Sequence, residues 1–415
     1  MCRSLALIGL LTAGIVQLDA NAEQGRILFT RDGQVWTVAP ESSETTGPLA
    51  MVASIESLSV SPDGRYVACT TSPSDGLYIY RVSADGEPVQ LQHLRPALAR
   101  VHGHTWSPDG RYLAVQTSSR LPELTMRVGP VSKPQSTPDD LLLGITELLP
   151  PRNLLHILPW QTDGQRAPDG TGDGAGLGHA VVPPLRISTG EWYAWVPGAN
   201  AIAWTPPWGG DIICVTDLAT GHTTDTRPSG PGRLGTIIDY AWSPDGGKLA
   251  YITAKGLLLV RAGGTFSGEV LVRKGDAWRR SLRWSPDGSR LAYGRQAPTE
   301  DASFGFSPAM DLCVLDVRSG RETDLTNGEI AVNSDSISWS PDGALIAFDG
   351  CSSAALAAQR ESRGRGYGSG YAQCDLYVAD AVSGVLRLVQ EGCGRNGYGS
   401  GTPIPWLPPV RRTGW

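Results

Sequence analysis

The tetrad Ser-Pro-Asp-Gly occurs five times, at Ser61–Gly64, Ser107–Gly110, Ser243–Gly246, Ser285–Gly288 and Ser340–Gly343. Nothing else in the chain restricts the fold as strongly. Proline pre-sets φ at the first central position of a turn, aspartate caps the turn, and glycine accepts the positive φ that ends it. Trp106, Trp242, Trp284 and Trp339 stand before four of the tetrads, and Val60 before the first. An apolar run follows each, as in Tyr112-Leu-Ala-Val115 and Lys248-Leu-Ala-Tyr251. A second punctuation, Asp-x-x-Ser/Thr-Gly, spans Asp217–Gly221, Asp316–Gly320 and Asp380–Gly384. One unit therefore reads strand, tetrad, strand, loop, strand, second turn, strand. Four short antiparallel strands, repeated along a chain, describe the blades of a β-propeller. On this reading Asp63, Asp109, Asp245, Asp287 and Asp342 serve turn structure and not catalysis.

Such units run at roughly 40–45 residues, so the interval from Ser107 to Ser243 must hold at least one more. Tyr193-Ala-Trp195-Val-Pro197 copies Tyr240-Ala-Trp242-Ser-Pro244 with its turn degraded, and Trp160 to Gly164 is a weaker second mark. At the N-terminal end, Arg26 to Trp36 reads as the second and third strands of a unit without its first. At the other end, Ile404-Pro-Trp406-Leu-Pro408 reads as a first strand with nothing after it. Pairing the two ends would remove the exposed sheet edges. The expectation is an all-β propeller of seven blades, with six or eight as alternatives, built as a single domain over 23–410. The least repetitive stretch, about 132–190, reads as an irregular insertion or a degenerate blade, and 351–373 and 391–403 read as loops.

The tetrads with their preceding tryptophans resemble the TolB-like, WD-related propeller repeats of exported bacterial proteins, over most of residues 26–350. The resemblance implies a scaffold that binds partners, and it supplies no catalytic residues. The chain departs from TolB itself, because strands begin directly after the N-terminal apolar run and leave no room for an α/β domain there. Likewise no stretch is left for the hydrolase domain that prolyl-oligopeptidase-like enzymes add to a propeller.

Lys+Arg 35 against Asp+Glu 41 gives a net charge of −6. That balance offers no basic excess for phosphates, so a nucleic-acid partner is disfavoured. Arg3, the apolar run from Leu5 to Val16 and Ala20-Asn-Ala22 have the form of a signal peptide over 1–22. Beyond it no run is apolar for long enough to span a bilayer. The expectation is export to the periplasm, the medium or the cell surface. Cys2 precedes the apolar run, which argues against lipidation. An oxidising compartment would permit a bridge among Cys351, Cys374 and Cys393, which the blade pattern brings to one end of one unit. Cys374 would join either partner, and the sequence leaves the choice open. Cys69, Cys214 and Cys313 sit in apolar, strand-like runs, where a thiol behaves as a small hydrophobe.

Motifs that carry chemistry are sparse. Gly366–Gly370 and Gly397–Gly401 place serine fourth, where a nucleophile elbow needs it third, and read as Gly/Ser/Tyr loops. The stretch Asp169–Gly178 lacks the third glycine of a dinucleotide loop and the closing glutamate of a calcium loop. His102-Gly-His104 puts two imidazoles on one strand face, but no third ligand is in view. With no CxxC pair either, neither a metal nor a cofactor is expected. Aligning the units instead collects Glu56, His102, Asp239, Arg280 and Asp335 at the starts of the inner strands, at the mouth of a central channel. Five ionisable groups converging there would suit a polar or cationic ligand. Two function classes follow. One is a non-catalytic exported scaffold binding a protein or cell-envelope component. The other is a hydrolase or lyase acting on glycans or peptides at the channel mouth.

Overall fold

Every tetrad closes in the same way. The serine hydroxyl donates to the aspartate Oδ1 at 2.5–2.6 Å. That oxygen also accepts the N–H of the residue after the glycine, as from Arg65, Ser289 and Ala344. The serine oxygen in turn accepts the N–H that opens the next strand, as from Tyr66, Arg290 and Leu345. The glycine N–H donates to the serine carbonyl, and the five glycines have φ from +67° to +73°. Each tetrad thus satisfies its own polar groups, which is why it recurs at a strand junction.

The computed structural model describes residues 25–49, 51, 54–71, 76–82, 88–96, 100–119, 126–127, 152–161, 176–177, 185–189, 193–206, 212–226, 237–253, 256–261, 279–296, 303–304, 307–308, 310–352, 374–393 and 403–407. The N-terminal apolar run, both Gly-Tyr-Gly-Ser-Gly loops and Asp169–Asp173 lie outside them. The described chain is all-β, with a single short 3-10 turn, Ser334–Ser336, as its helical content.

Consecutive stretches fold into antiparallel sheets. Arg26–Arg31 pairs with Gln34–Val38 and, on its other edge, with Trp406–Leu407 from the far end of the chain. Ile55–Val60, Tyr66–Thr71, Leu77–Arg81 and Val89–Pro96 form the next sheet. Arg100–Trp106 and Tyr112–Ser119 follow, joined by Arg152–Gln161 and Leu185–Thr189. Trp160 therefore lies near the end of a strand that pairs with Tyr112–Ser119, within this sheet. Tyr193–Val196, Ala201–Trp204, Ile213–Asp217 and Thr223–Thr226 make a complete four-stranded unit around the degraded turn at Pro197. Ile237–Trp242, Lys248–Thr253 and Gly256–Arg261 come next. The last two units begin at Arg279–Trp284 and Ser338–Trp339, and Ile330–Val332 hydrogen-bonds to both and links them into one sheet.

Apolar side chains lie between successive sheets, so each interface is a small core. Tyr66, Leu77 and Ile79 of one sheet meet Trp106, Leu113 and Trp160 of the next. There Trp160 meets Tyr66 and Trp106 edge to face and Tyr66 lies tilted to Trp106, with ring centroids 5.0–6.2 Å apart, each pair adding about 0.5–1.5 kcal/mol beyond its buried area. The pattern continues to the final unit, where Leu345, Ala347 and Val378 pack on Ile27, Phe29 and Trp406. Packing sheet on sheet in this way turns the first strand of each inward, to a common axis.

Candidate functional site

The inner strands surround a cavity of about 930 Å3. The tryptophans (Val60 in the first strand) line this space together with the residue just before each: Ser59, Thr105, Ala194, Ala241, Arg283, Ser338 and Pro405. Alternation would place the residue two positions earlier on the same face. Beyond that point a β-bulge interrupts the register, between Ile55 and Ser57, Val101 and Gly103, Ile237 and Asp239, and Arg280 and Arg283. A bulge inserts one residue and re-aims the side chains that follow it. Glu56 and His102 are the inserted residues of their strands. Asp239 lies one position past its own bulge, level with Ser57, Gly103 and Ser281.

The five ionisable residues that the sequence collected therefore do not share one level. Asp239, Arg280 and Asp335 line the cavity, whereas Glu56 is not among the lining residues. The His102 side chain lies outside the described residues. Its neighbour His104 lines the cavity instead, together with Arg283 and Gln116, which sequence alignment passed over. The signal that would have found Arg283 is its place directly before the tryptophan of a tetrad, a position that lines the cavity in the other inner segments as well.

The inner strands are stitched sideways by polar contacts. Trp195, Trp284 and Trp339 each donate their indole N–H across the interface, to the carbonyls of Thr105, Ala241 and Arg283, at 2.9–3.3 Å. Trp284 and Trp339, which stand before tetrads, and Trp195 at the degraded turn thus have a second function besides packing, while Trp106 Nε1 is buried without a partner among the described residues. His104 bridges to the neighbouring strand with both ring nitrogens, Nδ1 to Ser59 Oγ at 2.7 Å and Nε2 to Ser57 Oγ at 3.1 Å. Ser57 Oγ is also 2.6 Å from Thr70 Oγ1. Burial pushes the His104 imidazole down to about 4, against a weaker opposing effect from Ser57.

Asp239 is 4% exposed, and both its oxygens accept backbone donors, from Tyr240 at 2.7 Å and from Leu282 on the adjacent strand at 2.8 Å. Burial raises its pKa, and the Arg283 charge and the two N–H bonds oppose that rise. Asp335, on the short 3-10 turn, accepts a hydrogen bond from Ser281 Oγ at 2.8 Å. Ser281 holds φ +62° at the bulge, a left-handed conformation that costs a non-glycine residue about 1 kcal/mol. Among the described residues no group of three or more His, Cys, Asp or Glu side chains is placed to hold a metal ion.

Cys351, Cys374 and Cys393 belong to the unit that begins at Ser338, directly after the turn that carries Asp335. The register sets Cys374 opposite Cys393, while Cys351 faces Ala331 on another strand and is 2% exposed. The Cys393 side chain lies outside the described residues.

Antiparallel sheets packed face to face, with first strands around one central cavity, define a β-propeller. Comparison with solved structures agrees at the level of fold. A periplasmic gluconolactonase from Pseudomonas aeruginosa is similar at a TM-score of 0.51 and 14% identity, over 89% of this chain and 98% of that one. A functionally unknown protein from Desulfotomaculum acetoxidans is similar at 0.53 and 10% identity, over 91% and 98%. A puromycin-hydrolyzing peptidase from Mycobacterium tuberculosis is similar at 0.51 and 16% identity, over 92% of this chain but 56% of that one. The sequence matches no family model and no curated protein. Among the described residues no helix is long and apolar enough to cross a membrane.

Proposed function

We propose that this chain is an exported seven-bladed propeller of the TolB-like kind, closed between its two ends, that acts as a binding scaffold. The observation that carries this reading is the cavity of about 930 Å3. Seven inner segments contribute to its wall, from Leu58 in the first to Ile404 in the last. The pairing of Arg26–Arg31 with Trp406–Leu407 supports closure, and the N-terminal apolar run supports export. The partner is a protein or cell-envelope component that inserts a polar group or segment into the channel mouth. The test uses the full chain as bait in an envelope extract, beside a variant with Arg280 and Asp335 changed to alanine. A partner lost by the variant supports binding through the channel. One retained equally by both baits moves the contact to the loops, and no retained partner removes the scaffold reading.

One observation favours a second reading, a hydrolase or lyase acting on glycans or peptides. Asp239 and Asp335 share the cavity, and the second carboxylate adds to the rise in the pKa of the first. A carboxyl group whose pKa is raised holds its proton to higher pH than a free aspartate does, which is the direction a general acid needs. Turnover of a glycan or peptide panel that disappears in Asp239→Asn would support it. Absence of turnover in the unaltered chain would end it.

A further inference from the structure

Two described arginines, Arg295 and Arg290, are well supplied with partners. Arg295 is held at 2.5 Å by both Glu322 and Asp324. Arg290 donates to the carbonyls of Gly343 and Ala381 and lies over the Trp339 ring, 5.1 Å from its centroid. Arg280 and Arg283, both on the inner strand Arg279–Trp284 and both lining the cavity, differ. Arg280 makes no hydrogen bond or ion pair with any described residue. Arg283 donates Nη1 only to the carbonyl of Leu282, at 2.9 Å, and its Nε is buried with no partner among the described residues. Asp239 is close enough to feel the Arg283 charge, but its oxygens are occupied by the N–H groups of Tyr240 and Leu282. Asp335 gives one oxygen to Ser281. Two guanidinium groups thus line the same space, Arg280 with no described partner and Arg283 with Nη2 uncommitted among the described residues.

We propose that the cavity takes its ligand by an oxyanion, a carboxylate or phosphate docked on Arg280 and Arg283, with hydroxyl groups of the same ligand reaching Asp335, Thr105 and Ser338. This deepens the channel-binding reading above and rests on it. A guanidinium matches an oxyanion in shape, two parallel N–H donors to two oxygens, and the match is strongest where water is displaced. The remaining open oxygen of Asp335 and the hydroxyls of Thr105 and Ser338, all on the cavity wall, complement hydroxyl groups. Neither a bare cation nor a wholly apolar segment would satisfy the two arginines.

The experiment is calorimetric titration of the full chain with three probes of one ring shape: galacturonate, galactose 6-phosphate and neutral galactose. At least one anionic sugar is expected to bind and galactose is not, and whichever anion binds tells carboxylate from phosphate. Arg280→Gln and Arg283→Gln should each weaken that binding by about tenfold or more, and added salt should weaken it further. Arg283→Lys, which keeps the charge but loses the fork, should fall between. Thermal melting of each variant separates lost binding from lost folding. Galactose binding as tightly as the anions would overturn the oxyanion inference and leave the channel reading standing. Anion binding unchanged in both glutamine variants would overturn it, as would failure of all three probes to bind.

Discussion

His104 makes the stability of the chain depend on mild acidity, and the size of the effect follows from its burial. The imidazole is 2% exposed, wedged between two inner strands with Ser57 and Ser59 on its nitrogens. Desolvation, the larger cause, brings it down to about 4 against the smaller, raising effect of the Ser57 contact, and no charged side chain is among the causes. In the unfolded chain the same group titrates near 6.5. Between those values the unfolded state binds the proton and the folded state does not, so stability falls as pH drops from about 6.5 toward 4. Above that window the term is absent. Each unit of difference corresponds to about 1.4 kcal/mol, so moving from about pH 7.5 to about pH 4.5 should cost about 2.5 kcal/mol through this residue alone. The assay is urea unfolding at both pH values, for the unaltered chain and for His104→Gln, with the variant subtracting the carboxylates that titrate in the same range. Direct titration of the imidazole by NMR supplies a second reading that does not need the variant to fold. A stability gap between the two proteins that is the same at both pH values would refute the reasoning. So would an imidazole that titrates near 6.5 in the folded chain.

Three further outcomes are expected. Trp339→Phe keeps most of the packing but leaves the Arg283 carbonyl without its 2.9 Å donor, and should lower unfolding stability by about 1 kcal/mol. Gly246→Ala should destabilise more than an exposed substitution does, by about 1–3 kcal/mol in thermal or urea unfolding, because φ is +68° and the added Cβ runs into the Pro197 carbonyl oxygen. Ser285→Ala removes the first-ranked of the bonds that hold Asp287 at about 2, so its carboxyl should titrate higher in a carbon-detected NMR titration, nearer the usual aspartate range.

Much of the candidate site was legible in part only, and particular residues show why. The tetrads at Ser61, Ser107, Ser243, Ser285 and Ser340 satisfy their hydrogen bonds within about six residues, so the sequence alone contains the whole explanation of those turns. The degraded copy at Tyr193–Pro197 kept its tryptophan and its proline, and these were enough to mark a complete sheet. Asp239 and Arg280 were placed at the channel by counting residues from tryptophan, but the count crossed a bulge. An inserted residue is a backbone event with no side-chain signature in this chain, since Glu56, His102 and Ile238 have nothing in common. The level of each side chain was lost there, and with it the distinction between Glu56, off the cavity wall, and Asp239, on it.

The sequence by itself determined the all-β class, the unit and the turns, because those depend on local propensities and on contacts between near neighbours in the chain. Only the tertiary structure decided which polar side chains share the cavity and in what state. His104 is held down by burial under strands from a different sheet. The Asp239 carboxyl is fixed by an N–H donated 43 residues further on. Arg280 makes no hydrogen bond or ion pair among the described residues and Arg283 bonds only the neighbouring Leu282 carbonyl through its side chain, and distance across a cavity is a property that no run of neighbouring residues encodes.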